Sequence, residues 1–500
     1  MQSKYKVVLM LLLLLPIVSS PVIMETTNTV PDQRTVFQVS QTPVAAYIPD
    51  VPYVWQEVNG YCMSAALSMV LQSMGMDLNF HDLFVSMGTG FSAIYIGIDE
   101  SRMFLPGVLI RQPEYFQFFC DLYGLEFTTY IDTRESFGSE GAFNYDRLGV
   151  DYIDYRNSSM ESQFDVIRQT IAAGYPLAIA ADIFYLPPDD YDDFRSYGAP
   201  LDANGIAHAI TIVGYNDTSE EIYIQDPGVG LFEDNYGYPE DDRWNYTMSY
   251  FDFERAWKNA GYIAFKVTPG TGPVNDFDER LGKNLVKRLQ GDRAEYFKEI
   301  ENFYYLSPGK SAFSGLGLDL TVDCIAEYAR CFKEVDKDEA LLSLGHITEM
   351  FLTIQFHGFH HALDEIQDIF PEADLTDFIN NAENALPHYE VLTSNASIRS
   401  AAGVIFRNTL LFSTFEDIAV DFQNTGDLEG SIGNHQDRLD EIREHLFAIA
   451  DSWNAAAIAL EIALELPNDS ETIEVSLPIV IGGAGAIILV VALCLVRRGK

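Results

Sequence analysis

The sequence predicts an α+β domain whose leading helix bears a cysteine and whose later antiparallel sheet bears a histidine and an aspartate. A mainly α domain and one C-terminal transmembrane helix are expected to follow. Three observations carry this expectation. The run M-S-A-A-L-S-M-V-L-Q-S-M after W-Q-E-V-N-G-Y-C has apolar residues at helical spacing. Four later runs, P-L-A-I-A-A-D-I-F, H-A-I-T-I-V-G-Y, E-I-Y-I-Q-D and Y-I-A-F-K-V, read as strands. Near the end, Leu477–Val496 is 20 residues without a charge, followed at once by R-R-G-K.

Taken in order, residues 1–20 combine Lys4 and Lys6, a short apolar run and the small residues Ser19 and Ser20, the pattern of a secretory signal peptide. Residues 21–43 are polar and read as a flexible lead-in. The α+β domain is expected over 44–268, and the breaker cluster P-G-T-G-P-V-N at 269–275 marks its end. Residues 276–466 carry the helical period in runs such as Y-F-K-E-I-E-N-F-Y-Y and R-L-D-E-I-R-E-H-L-F-A-I-A, and no internal repeat is evident. An acidic stalk (467–476) leads to the transmembrane helix (477–496), which at about 1.5 Å per residue matches a hydrocarbon core of about 30 Å. Arg497, Arg498 and Lys500 assign the tail, 497–500, to the cytoplasm by the positive-inside rule. The expected location is therefore the cell membrane, with a single span and the large domains outside the cytoplasm.

With 500 residues, 48% of them hydrophobic, the chain has material for two or three cores. A net charge of −43 excludes nucleic acid and an anionic membrane surface as partners and describes a heavily hydrated exterior. Contact with the membrane is expected only through the C-terminal helix. Cysteines at 62, 120, 324, 331 and 494 do not make a disulfide framework. On one straight helix Cys324 and Cys331 would stand about 10 Å apart, too far to bridge. Asn-x-Ser/Thr triplets at Asn157, Asn216, Asn245, Asn395 and Asn468 permit glycosylation and no more.

Cys62 opens the first helix, and a thiol becomes a nucleophile when a helix N-terminus, a cation or a histidine stabilises its thiolate. Only two histidines lie between Val44 and Thr268: His81, which resembles a surface or capping residue, and His208, at the start of H-A-I-T-I-V-G-Y. The next twelve residues read as the return of a hairpin around N-D-T-S. A hairpin centred near Asp217 sets position 208 opposite Asp226, ahead of Pro227. Asp226 would then orient one ring nitrogen of His208 and leave the other for Cys62. Gln56 can supply an amide donor beside the Cys62 N–H to hold an oxyanion, with Asn59-Gly60 forming the turn that returns it to the helix. Taken singly, each residue is more often a core cysteine, a satisfied histidine or a turn aspartate. Their conjunction in one domain favours catalysis.

The order Gln56, Cys62, His208, Asp226 resembles that of papain-like cysteine enzymes, with Asp where papain itself has Asn. V-P-Y-V-W-Q-E-V-N-G-Y-C-M-S-A-A and H-A-I-T-I-V-G-Y-N-D…I-Y-I-Q-D-P-G resemble the bacteriocin-processing, double-glycine-leader peptidases and their relatives. Those commonly have Gly after the nucleophile, where this chain has Met63. The stretches at 83–97, 174–187 and 251–257 are similar to the N-terminal domain of butirosin biosynthesis protein H, which shares the thiol site and transfers acyl groups from a carrier-protein thioester. The resemblance implies a papain-like fold and an acyl-enzyme. Because carrier proteins are cytoplasmic, hydrolysis of a peptide or amide substrate is the expected reaction. Acyl transfer is the first alternative, and a non-catalytic binding module on the same fold the second. No cofactor is implied. In H-G-F-H-H-A-L-D-E, His357 and His361 fall one helical turn apart, with Glu365 and Glu349 in reach of the same face. Lacking H-E-x-x-H, these are read as packing or surface residues, and no metal is expected.

Overall fold

The computed structural model describes residues 42–467, apart from 59, 98–101, 108–111, 136–138, 140–144, 147–149, 159, 161, 193–206, 232–236, 240, 292–294, 300–301, 332–335 and 394–408. The expected signal peptide, transmembrane helix and cytoplasmic tail lie outside the described residues, as do all but two residues of the lead-in and one of the stalk. Up to Leu464 the described residues form one compact unit, and Glu465 begins another.

The strands are β1 (Ala45–Tyr47), β2 (Ala93–Gly97), β3 (Arg102–Pro106), β4 (Glu126–Ile131), β5 (Tyr152–Asp154), β6 (Leu177–Asp182), β7 (Ala207–Asn216), β8 (Glu221–Gln225), β9 (Asn245–Ser249), β10 (Ala264–Thr268), β11 (Glu295–Glu299) and β12 (Asn302–Pro308). Helices α1 (Cys62–Ser73), α2 (Asp82–Ser86), α3 (Gln112–Tyr123), α4 (Phe164–Ala172) and α5 (Tyr250–Asn259) accompany the first ten strands. Then come α6 (Phe277–Gln290), α7 (Lys310–Asp319), α8 (Val322–Cys331), α9 (Lys337–Ile369), α10 (Thr376–Glu383), α11 (Leu386–Leu392), α12 (Leu410–Thr425), α13 (Leu428–Gly433) and α14 (Gln436–Ala463). The chain is thus a mixed α/β assembly followed by many helices.

One eight-stranded sheet runs β5-β4-β10-β6-β7-β8-β9, with β1 added beside β7, and is antiparallel except for β4–β5. Its two faces bury different helices. Ala209 and Val213 of β7 join Met69, Val70 and Phe119 of α1 and α3 on one side. Ile210 and Ile212 join Ile167, Phe253 and Trp257 of α4 and α5 on the other. The alternation along β7 is the period-2 consequence of a strand buried on both sides.

A second sheet, β11-β12-β2-β3, corrects one expectation. The run Y-F-K-E-I-E-N-F-Y-Y, read above as helical, supplies the hairpin of β11 and β12. Tyr305 to Pro308 then pair with Gly97 to Ile94. Aromatic-rich runs favour strand, and pairing with the distant β2 decides between two periodicities that ten residues leave ambiguous. Strands β2 and β3 also place sheet structure in the first half of the α+β domain, where the sequence points to a leading helix.

The helices are held against the first sheet's domain through close backbone approaches. A Cβ at Gly358 in α9 would stand 2.2 Å from Tyr61 Oη, and one at Gly90 would stand 2.6 Å from the Gly358 carbonyl. Gln355 Nε2 donates to the Gly90 carbonyl (2.8 Å) and Tyr61 Oη donates to that of Ile354 (2.7 Å). Cys324 and Cys331 share α8, and neither they nor Cys62 and Cys120 are in a disulfide. Helix α14 is long and apolar enough to cross a membrane by length and composition. Its apolar residues Leu439, Ile442, Leu446, Ile449, Trp453 and Leu460 are nonetheless buried within the helical assembly, and Trp453 stacks on Phe359 of α9 with centroids 5.3 Å apart.

Candidate active site

Helix α1 begins at Cys62, with Tyr61 at its N-cap and no acidic residue in its first turn. The thiol therefore lies where unpaired N–H groups and the helix dipole favour an anion. Burial opposes ionisation. The hydrogen bond and charge of His208, aided by the N–H groups of Ala209 and Met63, outweigh it and hold the Cys62 thiol below its ordinary value. Met63, the departure from the usual Gly, is buried in the core that α1 and α3 share with β7. Tyr61 is equally buried, on the α9 side.

His208 is buried on β7, and its Nε2–H donates to Asp226 Oδ1 at 2.7 Å. Its other nitrogen, Nδ1, is then the one left for Cys62. Burial disfavours the imidazolium, but the Asp226 carboxylate and the Cys62 sulfur together raise the His208 pKa well above that of free imidazole. Both shifts favour a thiolate–imidazolium pair.

The hairpin register differs from the expected one by two residues. Thr211 pairs with Gln225, so continuing the ladder sets Ile210 beside Asp226 and His208 beside Gly228. At the turn Asn216 pairs with Glu221, three residues from the expected register, and an irregularity between Ile212 and Gly214 takes one of those back. Because the offset is even, His208 and Asp226 keep the same face and meet diagonally. Gly228 is what admits the ring. A Cβ there would lie 2.8 Å from His208 Cε1, 3.0 Å from Nε2 and 2.7 Å from Tyr191 Oη.

Asp226 is fully buried, just beyond the end of β8. Its carboxylate accepts from Tyr191 Oη (2.9 and 3.0 Å), Tyr246 Oη (2.9 Å) and the Gly228 N–H (2.9 Å), besides His208. Burial raises its pKa, but the His208 charge and these donors prevail and hold it below the usual carboxylate range. Tyr53 donates to the Asp226 carbonyl (3.1 Å) and stacks on Trp244, building an aromatic wall beside the group. Neither tyrosine donor is evident in the sequence. Tyr191 lies within the acidic run P-P-D-D-Y-D-D-F, which reads as loop. Tyr246 faces Ile224 on β9, and only the pairing of β8 with β9 brings it to the carboxylate.

Gln56 is buried, and its backbone N–H donates to the Pro227 carbonyl (3.1 Å), tying it to the residue after Asp226. Its Nε2 donates to the Val58 carbonyl (3.1 Å), and its second amide hydrogen is not used by that bond. A tight turn centres on Glu57. Val58 N–H donates to the Gln56 carbonyl (2.6 Å), with Glu57 at φ +61° between them. Asn59 lies outside the described residues, and Gly60, at φ +91°, completes the reversal into α1.

His81 is not at this site. Its Nε2 meets the Glu57 carboxylate at 3.0 and 3.1 Å, and His357 Nε2 of α9 meets Glu57 Oε2 at 3.0 Å. Donor atoms of Glu57, His81 and His361 lie within 4.8 Å of one another, so these residues, and not Glu349 or Glu365, share a potential metal-binding cluster with α9.

Residues 48–265 match the Peptidase_C39 like family. This segment is therefore a papain-like cysteine peptidase-like domain. No curated protein matches the chain.

Proposed function

We propose that the chain is an exported, membrane-anchored papain-like cysteine hydrolase that cleaves a peptide or amide bond through Cys62, His208 and Asp226, with Gln56 at the oxyanion. The observation that carries this reading is the buried hydrogen-bonded line from Cys62 through His208 to Asp226 at a helix N-terminus. The family match over 48–265 supports it. The segments at 1–20 and 477–496, read as signal and anchor, supply the export and tethering parts of the proposal.

In this mechanism the Cys62 thiolate attacks the substrate carbonyl carbon. The oxyanion accepts hydrogen bonds from the Cys62 backbone N–H and from the Gln56 Nε2 hydrogen that the Val58 carbonyl does not take. His208 then passes its Nδ1 proton to the leaving amine as the C–N bond breaks, leaving an acyl-thioester on Cys62. Water, deprotonated by His208, attacks that thioester, and the carboxylate product leaves as the thiol is regenerated. Asp226 keeps Nε2 protonated and the ring aimed at sulfur throughout.

An acyltransferase reading also passes through an acyl-thioester on Cys62, formed from a thioester donor as its C–S bond breaks and the thiol leaves, with an amine in place of water as the acceptor. It is favoured by the stretches at 83–97, 174–187 and 251–257, which resemble butirosin biosynthesis protein H. Profiling Cys62→Ala and the unaltered protein on peptide and thioester libraries tests both readings. Cys62→Ala is expected to abolish turnover and labelling by an electrophilic acyl probe. Unchanged labelling would instead identify a non-catalytic binding module.

A further inference from the structure

We propose that Glu57, His81 and His361 form a binding site for a first-row divalent cation of the zinc class, with His357 orienting the Glu57 carboxylate. Three chain segments that are far apart converge there. Glu57 sits in the turn before α1, His81 caps α2, and His357 and His361 stand one turn apart on α9. Three imidazole Nε2 atoms face a single carboxylate. His81 lies 3.0 Å from Oε1, and His357 and His361 lie 3.0 and 3.9 Å from Oε2.

The crowding is the informative part. The His81 and His361 rings stack with centroids 3.8 Å apart and an interplanar angle of 13°, and His357 lies 4.5 Å from His361. One carboxylate can neutralise one imidazolium, so the cluster holds more nitrogen donors than an ion pair uses. Two neutral imidazoles and a carboxylate are a donor set that zinc accepts, at about 2.0–2.2 Å per bond. The absence of sulfur leaves cobalt and nickel within the same class. The ligand atoms already lie within 4.8 Å of one another, so small side-chain movements bring them onto one ion. The side chains of His81, Glu57 and His361 are 25%, 28% and 26% exposed, which leaves an entry path and room for water in a fourth position. His357, by contrast, is only 8% exposed and holds Glu57 from behind, the part a hydrogen-bonding neighbour plays around a metal ligand.

None of these four residues is assigned to the thiol site, although Glu57 follows Gln56 directly in the chain, and the test needs no substrate. The full-length protein, stripped with a chelator and dialysed, is titrated with zinc, and bound metal is counted by elemental analysis. Cobalt absorption reports coordination number. The unaltered chain and His360→Gln, a change at the exposed neighbouring histidine, are expected to bind one zinc and gain thermal stability from it. His81→Gln and His361→Gln are expected to lose it, and His357→Gln to bind about 10–100-fold more weakly. Neither glutamine substitution alters the net acidic charge, so adventitious binding to the −43 surface would survive both. Zinc binding equal in His81→Gln, His361→Gln and the unaltered protein would overturn the proposal. So would an absence of binding at micromolar zinc, which would leave an ordinary Glu–His ion pair.

Discussion

Replacing Gly228 with Ala tests whether the space beside His208 sets the reactivity of Cys62. The added Cβ would stand 2.8 Å from His208 Cε1 and 2.7 Å from Tyr191 Oη. Ordinary non-bonded separation begins at about 3.5 Å, so the ring or the phenol must retreat by about 0.7 Å. Gly228 has no left-handed φ, so the backbone itself accepts alanine. A displacement of about 1 Å from attack geometry can cost about 10²-fold in rate, or about 2.7 kcal/mol. The thiol responds too. Without His208 at contact distance, burial acts on Cys62 unopposed except by the backbone donors, and its pKa rises. A thiol of ordinary acidity is about 3% ionised at pH 7. Alkylation of Cys62 by iodoacetamide at pH 7, followed by peptide mapping, is therefore expected to slow at least about tenfold in Gly228→Ala. Cys324, partly exposed on α8, serves as the internal control. Superimposable Cys62 alkylation profiles in the two proteins would refute the reasoning that Gly228 makes room for the base.

Asp226→Asn removes the charge that chiefly raises the His208 pKa while keeping an acceptor for Nε2–H. The thiolate–imidazolium pair exists above the lowered Cys62 pKa and below the raised His208 pKa, so the alkaline limb of the rate profile should move to lower pH, and an unmoved limb would count against the assignment. Glu349, 1% exposed on α9, has its carboxyl pushed up to about 8 by burial. Its contribution to stability is fully present below pH 4.5 and is lost as pH rises through about 8. A tenfold change in proton affinity between the folded and unfolded chain is worth about 1.4 kcal/mol. Measured by urea unfolding, Glu349→Gln should therefore gain up to a few kcal/mol at pH 9 over its effect at pH 5. Equal gains at both pH values would contradict it.

Cys62, His208 and Asp226 are legible in the sequence because each sits in a short segment whose local structure is strongly patterned. The helix after W-Q-E-V-N-G-Y-C and the two strands around N-D-T-S announce themselves, and a thiol needs a base. The expected register is two residues out, yet the pairing of His208 with Asp226 survives, because an even slip preserves the face of a strand. Gly228, Tyr191 and Tyr246 are not legible for the opposite reason. A glycine beside an imidazole and two phenols on one carboxylate depend on which strands and loops meet, and no spacing encodes that. The β11–β12 hairpin escapes in the same way, since its partner strand β2 lies some two hundred residues earlier.

The stretch W-Q-E-V-N-G-Y-C explains why the helical region and the thiol site cannot be read separately. Its residues divide between two neighbours. Gln56 is tied to Pro227 and Cys62 to His208, on the side of the first sheet. Glu57 is tied to His357, and Tyr61 to the Ile354 carbonyl, on the side of α9. The positive φ of Glu57 is the conformational cost of serving both, since a non-glycine residue rarely holds that conformation unless its surroundings fix it. Helix α9 thus grips the segment immediately beside both the nucleophile and the oxyanion donor. A change at Gly358, where Tyr61 leaves no room for a Cβ, would be felt at Cys62 through one intervening residue. The breaker cluster at 269–275 does not divide the thiol site's surroundings, because the segment that carries Gln56 and Cys62 is held from both sides of it.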